Sequence, residues 1–187
     1  MPGKLKIVIS DLHLGAGFEA NGNRLEDFGS DRQFSRLLAE LVDESRREQL
    51  EVELVINGDA FEMLQVPHLD AFDPSEVYQP EQYYSSLQAD SERKMALIIA
   101  GHTEFFDALG TFIRASSPRR FVTFIKGNHD LDLHWPAVQD RVRQAIGATG
   151  RRAPLLTFEE CRISRDGIYV EHGNQYAEHW SRLDDME

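Results

Sequence analysis

Cysteine is almost absent: Cys161 is the single one in 187 residues. An intrachain disulfide is therefore excluded, which suits a reducing compartment. Cys161 itself is expected to pack as a small apolar side chain. No stretch approaches the roughly 20 apolar residues of a membrane span. The apolar run near the N-terminus is shorter than the roughly 7–15 residues of a signal-peptide core. A cytoplasmic location is the expectation. Positive charge is also scarce, with 20 Lys and Arg against 32 Asp and Glu and a net charge of −12. A field of that sign repels nucleic acid and anionic membranes, so neither is an expected partner. There is no internal repeat and no low-complexity tract. Residues 1–187 read as a single domain, long enough to fold without cross-links.

Alternating strand-like and helix-like segments predict an α/β domain. Leu5 to Ile9, Val52 to Ile56 and Phe121 to Ile125 are short apolar runs rich in β-branched residues and read as strands, the first of them buried. Arg162–Arg165 and Ile168–Glu171 flank Asp166-Gly167, a hairpin signal that predicts a mixed rather than purely parallel sheet. Ser30 and Gln33 form a capping-box pattern ahead of Phe34, Leu37, Leu38, Leu41 and Val42, which recur as one helical face. Ser91 to Ala115 predicts one long helix, with His102 on its apolar stripe as a buried, hydrogen-bonded residue. Pro136 to Ile146 predicts a short helix with proline in its first turn. Ala16 to Gly29 reads as a loop. Residues 67–84 contain Pro67, Pro74 and Pro80, so they read as an irregular segment and a possible flap. Phe72, Tyr78, Tyr83 and Tyr84 would either line it as a lid or staple it to the core.

The strand-like runs end in residues that bind metals. The first ends in Asp11 and His13, the second in Asp59, the third in Asn128 and His129, and the last in His172. Ligands of α/β sheets gather beyond the carboxyl ends of the strands. If the strands are neighbours, these side chains meet on one rim. Carboxylate, amide oxygen and imidazole together suit Mn²⁺, Fe or Zn²⁺ and involve no thiolate. On an extended chain Asp11 and His13 point the same way and would grip one ion together. Asp59 has two oxygens and would bridge two ions. Two divalent ions roughly 3.5–4 Å apart serve phosphoryl chemistry by polarising phosphate oxygens and acidifying a water.

Asp11-Leu12-His13, Gly58-Asp59, Gly127-Asn128-His129-Asp130 and His172-Gly173 resemble the motifs of the calcineurin-like metallophosphoesterases. Ser10 to Leu14 and the Gly-Asp-x-Phe-Glu segment are most similar to the branch containing bacterial UDP-diacylglucosamine pyrophosphatases. The resemblance implies a two-sheet sandwich flanked by helices and a dinuclear centre with manganese as the first candidate. Asp11, His13 and Asp59 would hold one ion; Asp59, Asn128 and His172 the other. His129 would protonate the leaving oxygen or steady the phosphate, and Glu62 would orient His129. The implied reaction is hydrolysis of a phosphate ester, whether phosphodiester, phosphomonoester or pyrophosphate, by a hydroxide bridging two metals. The family closes its motif series with Gly-His-x-His, and here only His179 follows His172. The reading therefore expects a chain without that C-terminal part, with a missing segment or self-association completing the site.

Two other readings stand beside this one: a non-catalytic metal-binding domain that acts through a partner, and a metal-dependent nuclease. Asn21, Asn23 and Arg24 follow the Asp-x-His segment and either touch a small phosphorylated substrate, Arg24 through its forked guanidinium, or belong to a solvated loop. Lys126 is a further phosphate candidate. Arg119 and Arg120, at the far end of the third strand, read as solvent-facing. His134 and His179 read as a loop histidine and a residue of a frayed terminus.

Overall fold

Three of the expected strands do lie side by side. β1 (Lys4–Ile9), β2 (Glu51–Asn57) and β3 (Arg120–Ile125) run parallel, and a fourth parallel strand, β4 (Leu156–Glu159), completes a sheet of order β1-β2-β3-β4. The structure, a computed structural model, describes residues 3–17, 23–73, 75–114, 117–160 and 162–176. Cys161, Asn21, Pro74, Ala115 and His179 lie outside the described residues. The register pairs Ile9 with Ile56 and Asn57 with Ile125, so β1, β2 and β3 finish level with one another.

The sheet is not mixed. The hairpin of β5 (Arg162–Arg165) and β6 (Ile168–Glu171) forms a separate antiparallel pair. Asp166 and Gly167 both take positive φ, as a tight hairpin turn of this hand requires. Ile163 and Val170 face each other in that register and form an apolar pair that must leave water. They bury against Val55 and Ile125 of the main sheet. The opposite face carries Val52, Leu54, Ile56, Val122 and Phe124, all fully buried. The buried apolar residues of α1 (Asp31–Glu48), α2 (Gln88–Gly101), α3 (Thr103–Arg114) and α4 (Pro136–Ile146) join that second cluster. The order of layers is helices, parallel sheet, hairpin.

Several expectations need correction. β1 is an edge strand and only half buried: Val8 is 44% exposed, while Leu5, Ile7 and Ile9 pack partly against the helical side. Ser30 makes no side-chain cap bond to α1, because its backbone (φ −119°, ψ 24°) is not the extended form a capping hydroxyl needs. The long helix is two helices, α2 and α3, meeting at 86°. Gly101 lies so close to Ala16 and Gly17 that a Cβ there would overlap the Ala16 carbonyl. His102 then leaves the helical region at φ −125°, ψ 44°. Met95, Ile98, Phe105, Leu109 and Phe112 stay buried on either side, so one stripe of sequence serves two helices.

Arg120 is not solvent-facing. It is wholly buried; its Nε donates to the Phe112 carbonyl at 2.8 Å and its Nη1 to Ser45 Oγ at 3.0 Å. That carbonyl lies in the last turn of α3, where helix carbonyls lack intrahelical donors. Arg119 does face solvent and pairs with Glu51. The described residues of 67–84 are irregular apart from a 3₁₀ turn at Pro80–Gln82. Buried Lys94 pins their base, donating to the carbonyls of Met63 (2.9 Å) and Tyr83 (2.7 Å). Phe72 and Tyr78 pack on each other within the segment, and Tyr84 is exposed.

Candidate metal centre

Beyond Ile9 the first strand no longer runs as a strand, yet it keeps its place beside the second. The N–H groups of Asp11, His13 and Leu14 donate to the carbonyls of Gly58, Asp59 and Ala60 at 3.2, 2.9 and 3.0 Å. To do so the backbone turns into the left-handed region at Asp11 (φ 55°), His13 (φ 53°) and Asp59 (φ 50°). Non-glycine residues pay for that conformation, and it gathers at functional sites. Gly58 (φ 80°) abuts the His172 ring so closely that any Cβ would overlap it. Gly127 gives the same clearance to Asp59.

Asp59 stands at the centre. It is 3% exposed, its Oδ1 accepts the His129 N–H at 2.9 Å, and its Oδ2 lies 3.2 Å from His172 Nε2 and 3.8 Å from His13 Nε2. Two groups of ligand atoms share it. Those of Asp11, Asp59 and His172 fall within 4.8 Å of one another, and so do those of His13, Asp59 and His129. Burial pushes the Asp59 carboxyl upward, but the bonds from His172 and the His129 N–H, with the charges of both rings, hold it below its ordinary value. His172 is raised to about 9 by its bond to Asp59, against the cost of burial. Its Nδ1 lies 2.9 Å from the Asn57 carbonyl, which leaves Nε2 for the centre.

Glu62 is fully buried behind the histidines. Its Oε2 lies 2.7 Å from His13 Nδ1 and 2.8 Å from His129 Nδ1. Asp130, also fully buried, accepts the N–H groups of Gly127 (2.6 Å), Ala60 (2.8 Å) and Phe61 (3.4 Å), tying the turn after β3 to the turn after β2. Burial lifts its carboxyl to about 6 despite those three donors.

The rim therefore gathers Asp11, His13, Asp59, His129 and His172, with half-buried Asn128 in the turn just before His129. Three details differ from the sequence reading. Asp11 and His13 fall in different groups, because neither has the extended backbone that would aim residues two apart in one direction. His129 groups with potential ligands. His172 arrives from the hairpin layer and not from the neighbouring strand of the main sheet. Asn23 is 5% exposed and spends its side chain within the loop, donating to the Gly17 carbonyl and accepting the Leu25 N–H, so it does not face a substrate. Arg24 follows it on an exposed turn. Lys126 is buried and paired with Glu160. His134 stays local, against the Leu131 carbonyl and the Trp135 ring.

Sequence reasoning missed Glu26 as a brace for this rim. Its carboxylate accepts the N–H groups of Gly15, Gly17 and Phe28 at 3.1, 2.6 and 2.9 Å, holding the chain just past His13. Glu26 in turn pairs with His102 Nε2 at 3.2 Å, and His102 Nδ1 lies 3.0 Å from Asp31. His102 is 1% exposed, so the expected buried, bonded histidine is present, at a helix break. Burial opposes its charge, but its bonds to Asp31 and Glu26 lift it to about 9 from 6.5. A raised histidine stabilises the fold fully below the unfolded value and loses that contribution as pH rises through the folded one. The stability advantage of the parent over His102→Gln is thus expected to shrink by up to about 3 kcal/mol between pH 6.5 and 9. Urea unfolding of both proteins across that range checks this; a constant difference would refute it.

Comparison with protein-family models, with curated proteins and with solved structures finds no match to this chain. Among the described residues no single helix is long and apolar enough to cross a membrane.

Proposed function

We propose that this protein hydrolyses a phosphate ester at a dinuclear metal centre. The observation that carries the reading is the single carboxylate, Asp59, common to two groups of potential ligands. The donors are oxygens and imidazoles, which suit Mn²⁺, Fe or Zn²⁺; the family resemblance puts Mn²⁺ first. Asp11, His13, Asp59, Asn128 and His172 would hold the ions. When bound, such ions polarise phosphate oxygens and lower the pKa of water.

The chain's own residues supply the rest. Glu62 occupies His129 Nδ1, so His129 Nε2 is the atom through which the ring takes up a proton and gives it away. The doubly protonated ring gives that proton to the leaving oxygen as its bond to phosphorus breaks; the oxygen of water forms the new bond to phosphorus and gives up one proton to solvent. The His129 main-chain N–H fixes Asp59 Oδ1, so proton donor and central carboxylate keep a constant spacing. Gly58 and Gly127 keep side-chain bulk out of the space between the turns.

The test is elemental analysis of protein soaked in Mn²⁺, followed by hydrolysis of bis(p-nitrophenyl) phosphate. About two ions per chain and saturable release of p-nitrophenol are expected. Ions without turnover would leave a binding domain only, and no retained ion would overturn the proposal.

A further inference from the structure

The two histidines nearest Asp59 lean on the same acid. Glu62 Oε2 is 2.7 Å from His13 Nδ1 and 2.8 Å from His129 Nδ1, with Oε1 3.0 Å from the latter. The rings stand nearly perpendicular, at 85°, with centroids 4.7 Å apart. The main chain is tied in the same way. The Glu62 N–H donates to the carbonyl of Leu14, next to His13, at 2.8 Å, and the Met63 N–H donates to the carbonyl of His129 at 3.1 Å. Glu62 is thus braced against both segments whose histidines it holds.

An ionised carboxylate only accepts, so each imidazole must turn an N–H toward it. That fixes both rings with hydrogen on Nδ1 and leaves both Nε2 atoms free. A carboxylate behind a metal-bound histidine sets the ring's orientation and raises its basicity. The family resemblance gives Glu62 to His129 alone.

We propose that Glu62 is a positioning residue for two tasks at once, orienting His13 as a metal ligand and His129 as a proton donor. Metal affinity and proton delivery then depend on one side chain. The metal half of this inference rests on the dinuclear reading above; the shared orientation of the rings does not.

Two measurements separate them. In metal-free protein, ¹⁵N NMR of the histidine side chains should show His13 and His129 both as the Nδ1–H tautomer. In Mn²⁺ titration calorimetry, Glu62→Gln, shown by thermal unfolding to be folded, should bind roughly 10–100-fold more weakly than the parent. At saturating Mn²⁺ it should also slow hydrolysis of an alkyl phosphodiester, whose leaving oxygen needs a proton, far more than that of bis(p-nitrophenyl) phosphate. A His13 ring carrying its hydrogen on Nε2 overturns the inference, whether or not metal binds. A parent that binds no Mn²⁺ sinks the dinuclear reading and leaves the NMR result to decide for Glu62. A parent that binds, with Glu62→Gln binding equally well, keeps the dinuclear reading and removes the shared role. Should Glu62→Gln not fold, the parent's two tautomers still decide.

Discussion

Asp59→Asn is expected to lose both ions and to lower phosphodiester hydrolysis by roughly 10³-fold or more, beyond the 10²–10³ typical of losing one electrostatic donor. The side chain cannot adapt by rotating. Oδ1 accepts the His129 N–H at 2.9 Å, while Oδ2 faces His172 Nε2 at 3.2 Å and His13 Nε2 at 3.8 Å. An amide must put its NH₂ at one of these positions. At Oδ1 it would oppose a main-chain donor. At Oδ2 it would oppose the imidazoles and any cation between them. Elemental analysis after Mn²⁺ soaking, beside initial rates, checks the outcome. A variant that still holds two ions would show that Asp59 does not bridge.

His129→Ala is expected to slow hydrolysis of an alkyl phosphodiester by about 10²–10⁴-fold, the range of a lost general acid. That is about 3–5 kcal/mol in the barrier. The effect on bis(p-nitrophenyl) phosphate should be much smaller, since nitrophenolate departs without a proton. Alanine keeps the main-chain N–H that holds Asp59 Oδ1, so the experiment removes the ring and little else. Metal content decides between the two roles open to His129, whose ring groups with His13 and Asp59. Two ions retained supports proton donation. Loss of one ion would make the histidine a ligand and remove it as the acid.

Much of this rim was legible because its signals are local. Asp11-x-His13, Gly58-Asp59 and Gly127-Asn128-His129 each sit where an apolar run stops, and parallel strands in register bring such ends together. What failed to show was whatever depends on distant partners or on backbone angle. The split between Asp11 and His13 follows from their positive φ, which no spacing rule reveals. The division of α2 from α3 is hidden because the apolar step of three and four continues through His102. Glu26 and Asp31 meet His102 across more than seventy positions of sequence, and a polar contact of that kind leaves no period to read. β4, four residues long, offers too few alternations to identify a strand.

The left-handed backbone at Asp11, His13 and Asp59 sets folding against chemistry at three positions of one sequence. Glycine would adopt these angles without the clash that costs an ordinary side chain about 1–2 kcal/mol. Two carboxylates and an imidazole stand there instead, and two of the three make bonds that glycine could not, Asp59 to the His129 N–H and His13 to Glu62.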